Sequence, residues 1–151
     1  MSGSPRAPGA VVIDTNIALD LLVFGDPAAG ELADALDRRD IRWIASHAMR
    51  DELIRVLGYA AVARHLHRSD RSPDEVLAAF DLRTAPLLAT PPRATNCRCS
   101  DPDDQVFVDL AVAHGAWLLS KDRAVLALRK RLDVQGARVL RSWPDAAPGR
   151  R

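Results

Sequence analysis

The chain has 151 residues, 48% of them hydrophobic and 27% charged, a size and mix that suit one globular domain and leave no room for a second. Its 21 Lys+Arg against 20 Asp+Glu give a net charge of +1, which excludes a basic arm that binds nucleic acid through bulk charge. The 2 cysteines exclude a disulfide framework, and no apolar run approaches the ~20 residues that span a bilayer.

Met1 to Ala10 is polar and rich in Pro and Gly, without the apolar stretch of a signal peptide. A reducing cytoplasm is therefore the expected compartment. Residues 1–10 and 144–151 read as flexible tails around an ordered region, 11–143.

Val11-Val12-Ile13 is a short β-branched run ending at Asp14, the pattern of a buried strand. Asn16–Val23 reads as a short apolar helix, which Gly25-Asp26-Pro27 stops. A helix is expected over Ala28–Arg39, a strand over Ile41–Ala45, and a helix over His47–Leu57 with Ser46 as its N-cap and Gly58 as its stop. Ala60–Arg68 is expected to be helical. Ser72-Pro73-Asp74-Glu75 carries a full helix start: Ser at the cap, Pro at the first position, Glu three residues on.

Thr84–Ser100 lacks helical periodicity and reads as a loop, with room for a short strand at Leu87–Ala89. Asp104–His114 is the next helix, with Val106, Phe107, Leu110 and Ala111 inward and Gly115 past its end. A strand over Trp117–Ser120, a helix over Arg123–Leu128 and a strand over Arg138–Leu140 complete the chain. Strands alternating with helices predict an α/β fold with a central parallel sheet of four to five short strands flanked by helices.

The chemistry-bearing positions are acids that follow apolar strands. Asp14 ends the first strand, and Asp122 lies two residues beyond the strand that finishes near Ser120. Parallel sheets bind ligands outside the carboxyl ends of their strands, so both acids are delivered to one edge. Each taken singly could equally cap the helix that follows it. Glu52 borders the apolar stripe of Met49, Leu53 and Leu57, with Arg50 and Arg55 at hand for surface pairing. Asp101-Pro102-Asp103-Asp104 places more acids at a helix start than capping requires, and Asp104 is the one best placed to turn back toward the strand ends. Asp109 is expected to face solvent or Arg side chains. Carboxylates converging on one edge need a hard divalent cation such as Mg²⁺ or Mn²⁺ if all are to stay ionised.

Val11-Val12-Ile13-Asp14-Thr15-Asn16 resembles the opening strand and Asp-Thr-Asn signature of PIN domains, a ribonuclease fold found in many bacterial toxins. Ser46 with Glu52-Leu53, then Asp104, Ala111, Gly115 and Ser120-Lys121-Asp122, are similar to that family's later motifs in order and spacing. The resemblance implies one nuclease domain over 11–143, in which Asp14, Glu52, Asp104 and Asp122 form a catalytic, metal-binding pocket for Mg²⁺ or Mn²⁺. Asn16 and Ser120 would support it, although the family commonly has Thr at Ser120, and Asp101 and Asp103 compete for the place of Asp104. It also implies an RNA substrate, a toxin role and a cognate antitoxin protein. Self-association is a further expectation, with Asn16–Val23 as the candidate interface.

Other features are read more plainly. Cys97-Arg98-Cys99 is tighter than zinc spacings, so it reads as free loop thiols and not as a metal half-site with His65 and His67. The basic stretches, Arg50 to Arg71 and Arg123 to Arg131, read mostly as solvated helix faces, with Arg123 best placed to hold substrate phosphate. At 5%, aromatic residues give little support to base stacking. Two other readings compete with the enzyme: a catalytically inactive PIN-fold interaction module for nucleic acid or protein, and a receiver domain. The receiver pattern needs an acidic pair at the first strand, and here a single Asp stands there.

Overall fold

The computed structural model describes residues 9–84 and 86–143. The predicted tails, 1–10 and 144–151, lie outside the described residues apart from Gly9 and Ala10, and Ala10 already belongs to the first strand. Four parallel strands form one sheet: β1 (Ala10–Ile13), β2 (Arg42–Trp43), β3 (Trp117–Leu119) and β4 (Arg138–Leu140), in the order β2-β1-β3-β4. The helices are α1 (Thr15–Leu19), α2 (Gly30–Asp37), α3 (His47–Leu57), α4 (Ala60–Arg68), α5 (Pro73–Thr84), α6 (Gln105–His114), α7 (Arg123–Leu126) and α8 (Arg129–Val134). The predicted α/β architecture is the observed one.

The central strands are hydrophobic throughout because both of their faces are covered, as parallel strands require. Val11, Val12, Leu118 and Leu119 are fully buried. Helix α6 packs on β1 and β3, α5 on β2, and α8 on β4. Helix α6 ends at Gly115, whose φ of 57° is the left-handed cap conformation that glycine adopts without a Cβ penalty. That turn reverses the chain into β3.

Several local expectations need correction. The paired part of the second strand is only Arg42–Trp43, and the segment predicted at Leu87–Ala89 makes a single bridge, Leu88 to Ser46. Ser46 stands at the N-cap of α3, but its hydroxyl makes no capping bond; it is buried where its backbone meets Leu88. The helix after β1 is α-helical only to Leu19 and continues as a π-helix over Asp20–Phe24. Its Ile17, Ala18, Leu19, Leu22 and Val23 are buried in the chain's own core, so they offer no apolar face to a second copy. In α6 it is Val108 that is fully buried, while Val106 is half-buried. The capping box at Ser72 forms as predicted: the Ser72 amide donates to Glu75 Oε1 at 2.7 Å and the Glu75 amide to Ser72 Oγ at 3.2 Å.

Candidate functional site

The strand register builds the site. Ile13 pairs with Leu119, so the next residues, Asp14 and Ser120, emerge side by side at the carboxyl edge of the sheet. The Asp14 amide donates to Leu119 O at 3.0 Å and the Ser120 amide to Leu140 O at 2.9 Å, which fixes both backbones to neighbouring strands. Asp14 is 4% exposed; its carboxylate accepts from the Ile17 amide at 3.1 Å and from the Ser120 hydroxyl. The same hydroxyl accepts from the Asp122 amide at 3.1 Å. Asp122 in turn caps α7 by accepting from the Ala124 amide at 2.8 Å. Capping and site-building are therefore not exclusive for these acids.

An open cleft of about 310 Å³ lies at this edge. Asp14, Asn16, Glu52, Asp104 and Asp122 all line it, and Leu19, Val56, Tyr59, Val62 and Phe107 supply an apolar side. Glu52 comes from α3 and is paired with Arg55 one turn on. Ser120 is fully buried beneath the acids, acting through Asp14 and not on the cleft surface. Arg123 is exposed and is not among the lining residues. On that side Lys121 pairs with Asp20 at 2.9 Å, and its charge reaches Asp14.

The Asp101-Pro102-Asp103-Asp104 run forms a 3-10 turn ahead of α6, and this turn sorts its acids. Asp101 accepts from the Asp103 amide at 3.0 Å, while Asp103 is exposed. Asp101, Asp104 and Asp122 each bring a carboxylate oxygen within 4.8 Å of the others. Asp101 thus joins the cluster that spacing alone assigned to Asp104.

The electrostatics are those of crowded carboxylates. Burial raises the Asp104 pKa most, with the charges of Asp122 and Asp101 next, to about 7. Its Oδ2 is buried and has no hydrogen-bond partner. Burial also raises the Asp14 carboxyl, opposed by the hydrogen bonds from Ser120 and Ile17. The buried Cys99 thiol lies close enough to Asp104, Asp122 and Asp101 that their charges raise its pKa further, after burial itself. Oxygen donors, clustered charge and an orphaned carboxylate oxygen are the features that a hard divalent cation satisfies, so the residues present fit such an ion.

Beyond the cleft, Asp109 differs from expectation. It accepts from the Ala94 amide at 2.8 Å and from Gln105 Nε2 at 2.9 Å, tying the long loop to α6. Both cysteines are buried: Gln105 accepts from the Cys99 amide at 2.6 Å and donates to the Cys97 carbonyl at 2.9 Å. Arg50, in the stretch read mostly as a solvated helix face, is held by Asp81 at 2.8 and 2.9 Å.

A parallel α/β sheet thus carries, at its carboxyl edge, an acidic cleft whose Asp101, Asp104 and Asp122 could hold a metal ion. The PIN domain family matches residues 10–124, and the chain belongs to that family. PIN domains are generally nucleases that use divalent metals, and the acidic cluster fits that chemistry. No curated protein matches the chain. Among the described residues, no helix is long and apolar enough to cross a membrane.

Proposed function

We propose that the protein is a metal-dependent endoribonuclease that hydrolyses RNA phosphodiester bonds by direct attack of water, without a covalent intermediate. Asp14, Asp104 and Asp122 are the assigned metal-holding and catalytic acids, with Glu52 on the cleft wall and Asp101 added to the set. Mg²⁺ or Mn²⁺ is the proposed ion. The observation that carries this reading is Asp104: a carboxylate beside two others, its Oδ2 buried without a protein partner. A cation bound among these oxygens supplies charge neutralisation at the phosphate and acidifies water.

The chain's own residues do the rest. Ser120 and the Ile17 amide hold the Asp14 carboxylate in one orientation. Asp122 is fixed by its capping bond to Ala124, so two acids are immobilised before substrate arrives. Asn16, exposed on the cleft lining, offers an amide to a substrate oxygen. With its carboxyl raised to about 7, Asp104 is roughly half protonated at neutral pH without a cation, and positive charge entering the cluster favours loss of that proton.

We further propose that the protein acts in the cytoplasm as the toxin of a toxin-antitoxin pair, with a cognate antitoxin as partner; the resemblance to the PIN domains of bacterial toxins supports this reading. Incubation of a mixed RNA pool with the protein and Mn²⁺, followed by end sequencing, tests the nuclease reading. Cleavage absent in Asp14→Asn and abolished by chelator supports it; cleavage that persists in excess EDTA removes the metal mechanism. Growth arrest on expression, relieved by the product of an adjacent reading frame, tests the toxin role.

A further inference from the structure

The acids do not account for the opposite lip of the cleft. Glu52 and Arg55 stand one turn apart on α3, Val56 follows, and Tyr59 lies in the link from α3 to α4, so one short stretch of chain supplies this lip. Tyr59 lines the cleft, yet its ring is not buried there: the residue is 54% exposed. Arg55 is an exposed guanidinium paired with Glu52 on the cleft wall. Tyr59 first, then the charges of Glu52 and Asp103, favour the charged form of that guanidinium. Behind Tyr59 the wall is apolar, formed by Leu19, Val56 and Val62.

This lip answers two needs that the acids create. A cleft lined by four carboxylates repels a phosphodiester, and no Arg or Lys is among its described lining residues. The Arg55 guanidinium is itself exposed and paired with the half-buried Glu52, so it can exchange that carboxylate for a phosphate, to which its fork is equally matched. A half-exposed aromatic ring on an apolar wall loses little by being covered, and any base has a π-face to cover it. In a duplex the bases are already stacked and paired, so only an unpaired strand can present one to Tyr59.

We propose that Tyr59 and Arg55 grip the substrate at the cleft mouth, Tyr59 stacking an unpaired base and Arg55 pairing with the adjoining phosphate, which selects single strands over duplexes. The proposal rests on the nuclease reading for the site's purpose, but its test does not require turnover. Little support for stacking is found in a 5% aromatic content; what matters is where one Tyr stands.

The test measures binding of a dye-labelled, mixed-sequence single-stranded oligoribonucleotide and of its blunt duplex by fluorescence anisotropy. The Asp14→Asn protein is used with chelator at one fixed salt concentration. Tyr59→Ala in that background should weaken single-strand binding about tenfold, and Tyr59→Phe should stay within about twofold. Arg55→Gln should weaken binding and flatten its salt dependence by about one phosphate contact. Duplex binding should be weak in all of them. Single-strand affinity unchanged in Tyr59→Ala, a duplex bound as tightly as the single strand, or no affinity for either probe would each overturn the proposal. The full-activity protein separates the two readings. With Mn²⁺, Tyr59→Ala should raise KM about tenfold with kcat nearly intact, a split that a merely structural defect does not produce. Cleavage with KM unmoved sinks the grip alone; single strands held through Tyr59 without any cleavage sink the nuclease alone.

Discussion

The Ser120 hydroxyl donates to the Asp14 carboxylate across 106 positions of sequence and accepts from the Asp122 amide at 3.1 Å. One small side chain thereby couples the acid at the end of β1 to the acid that follows β3. Both Ser120 and Asp14 are buried, so nothing else is at hand to take the place of that bond. Ser120→Ala should lower stability by about 1.5–3 kcal/mol, the usual range for a hydrogen bond to a charged group. The sign with pH is definite. The Ser120 bond lowers the Asp14 pKa against the burial that raises it, so without it the Asp14 carboxyl climbs further. The variant's stability deficit should then be small near pH 4 and widen as pH rises. Denaturant titrations across that range check this; a deficit independent of pH would mean that the hydroxyl only fills space.

The turn at 101–104 predicts an order of damage among neighbouring acids. Asp101 shares the cluster with Asp104 and Asp122, whereas Asp103 is exposed. Asp101→Asn should therefore cost about 10–100-fold in Mn²⁺ affinity, read by calorimetric titration. Asp103→Asn removes only a screened surface charge and should stay within about threefold of the parent. Sequence spacing alone ranks the two together, so equal effects would return the assignment to spacing.

How much was legible follows from how local each signal is. Asp14 is readable because a β-branched run stops at it, and Asp122 because it trails a second apolar strand; two strand ends of a parallel sheet share one edge whatever the loops do. The capping box at Ser72 is local chemistry and forms as read. Asp101 was not legible, because three acids in four residues are interchangeable until the backbone of the turn is known. Asp109 reads as a surface acid from its position, and only the fold shows that the distant Ala94 amide needs it. Helix α8 was missed because Arg129-Lys130-Arg131 gives no apolar period and Val134 is 87% exposed. The second strand is paired only over Arg42–Trp43: beyond it the Ile44 amide still donates to Val11 O at 3.0 Å, but the Ala45 carbonyl already turns to the Leu88 amide at 2.9 Å. Propensity suits the whole run, and tertiary pairing decides its length.

Gln105 holds the long loop through three bonds: to the Cys99 amide, the Cys97 carbonyl and Asp109. It is 7% exposed, so truncation leaves buried backbone groups without partners. Gln105→Ala should destabilise by about 1–3 kcal/mol. Because the loop leads directly into Asp101, the variant should also bind Mn²⁺ more weakly than its stability loss alone explains. Cys97 and Cys99, buried in the parent, should react with a thiol reagent faster in the variant. Unchanged thiol reactivity would show that the loop is held by its apolar contacts instead.

Asp104 allows the sharpest test, because its two roles pull in opposite directions. Its carboxyl titrates near pH 7, raised by burial first and by Asp122 and Asp101 after that. The folded state therefore binds a proton more tightly than the unfolded chain, whose Asp titrates near its ordinary value. Between those two values the folded protein holds more protons, so in chelator stability should fall as pH rises from about 4 to about 7 and level off above. Asp104→Asn keeps the shape, carries no charge, and can donate to Asp122 as the protonated acid does. At pH 8 the metal-free variant should be more stable than the parent by on the order of 1 kcal/mol, or about 2–4 °C in Tm for a chain of this size. At pH 5, where the parent's Asp104 is already neutral, that gain should vanish. Added Mn²⁺ should raise the Tm of the parent by mass action, because the ion binds the folded state alone, and should raise that of the variant much less. RNA cleavage should drop in the same variant. Melting curves of both proteins at the two pH values, with and without Mn²⁺, read all of these outcomes together. A variant that melts lower at pH 8 without metal, yet keeps the full Mn²⁺ shift, would make Asp104 an ordinary residue of the turn before α6 and move the centre of the site to Asp101 and Asp122.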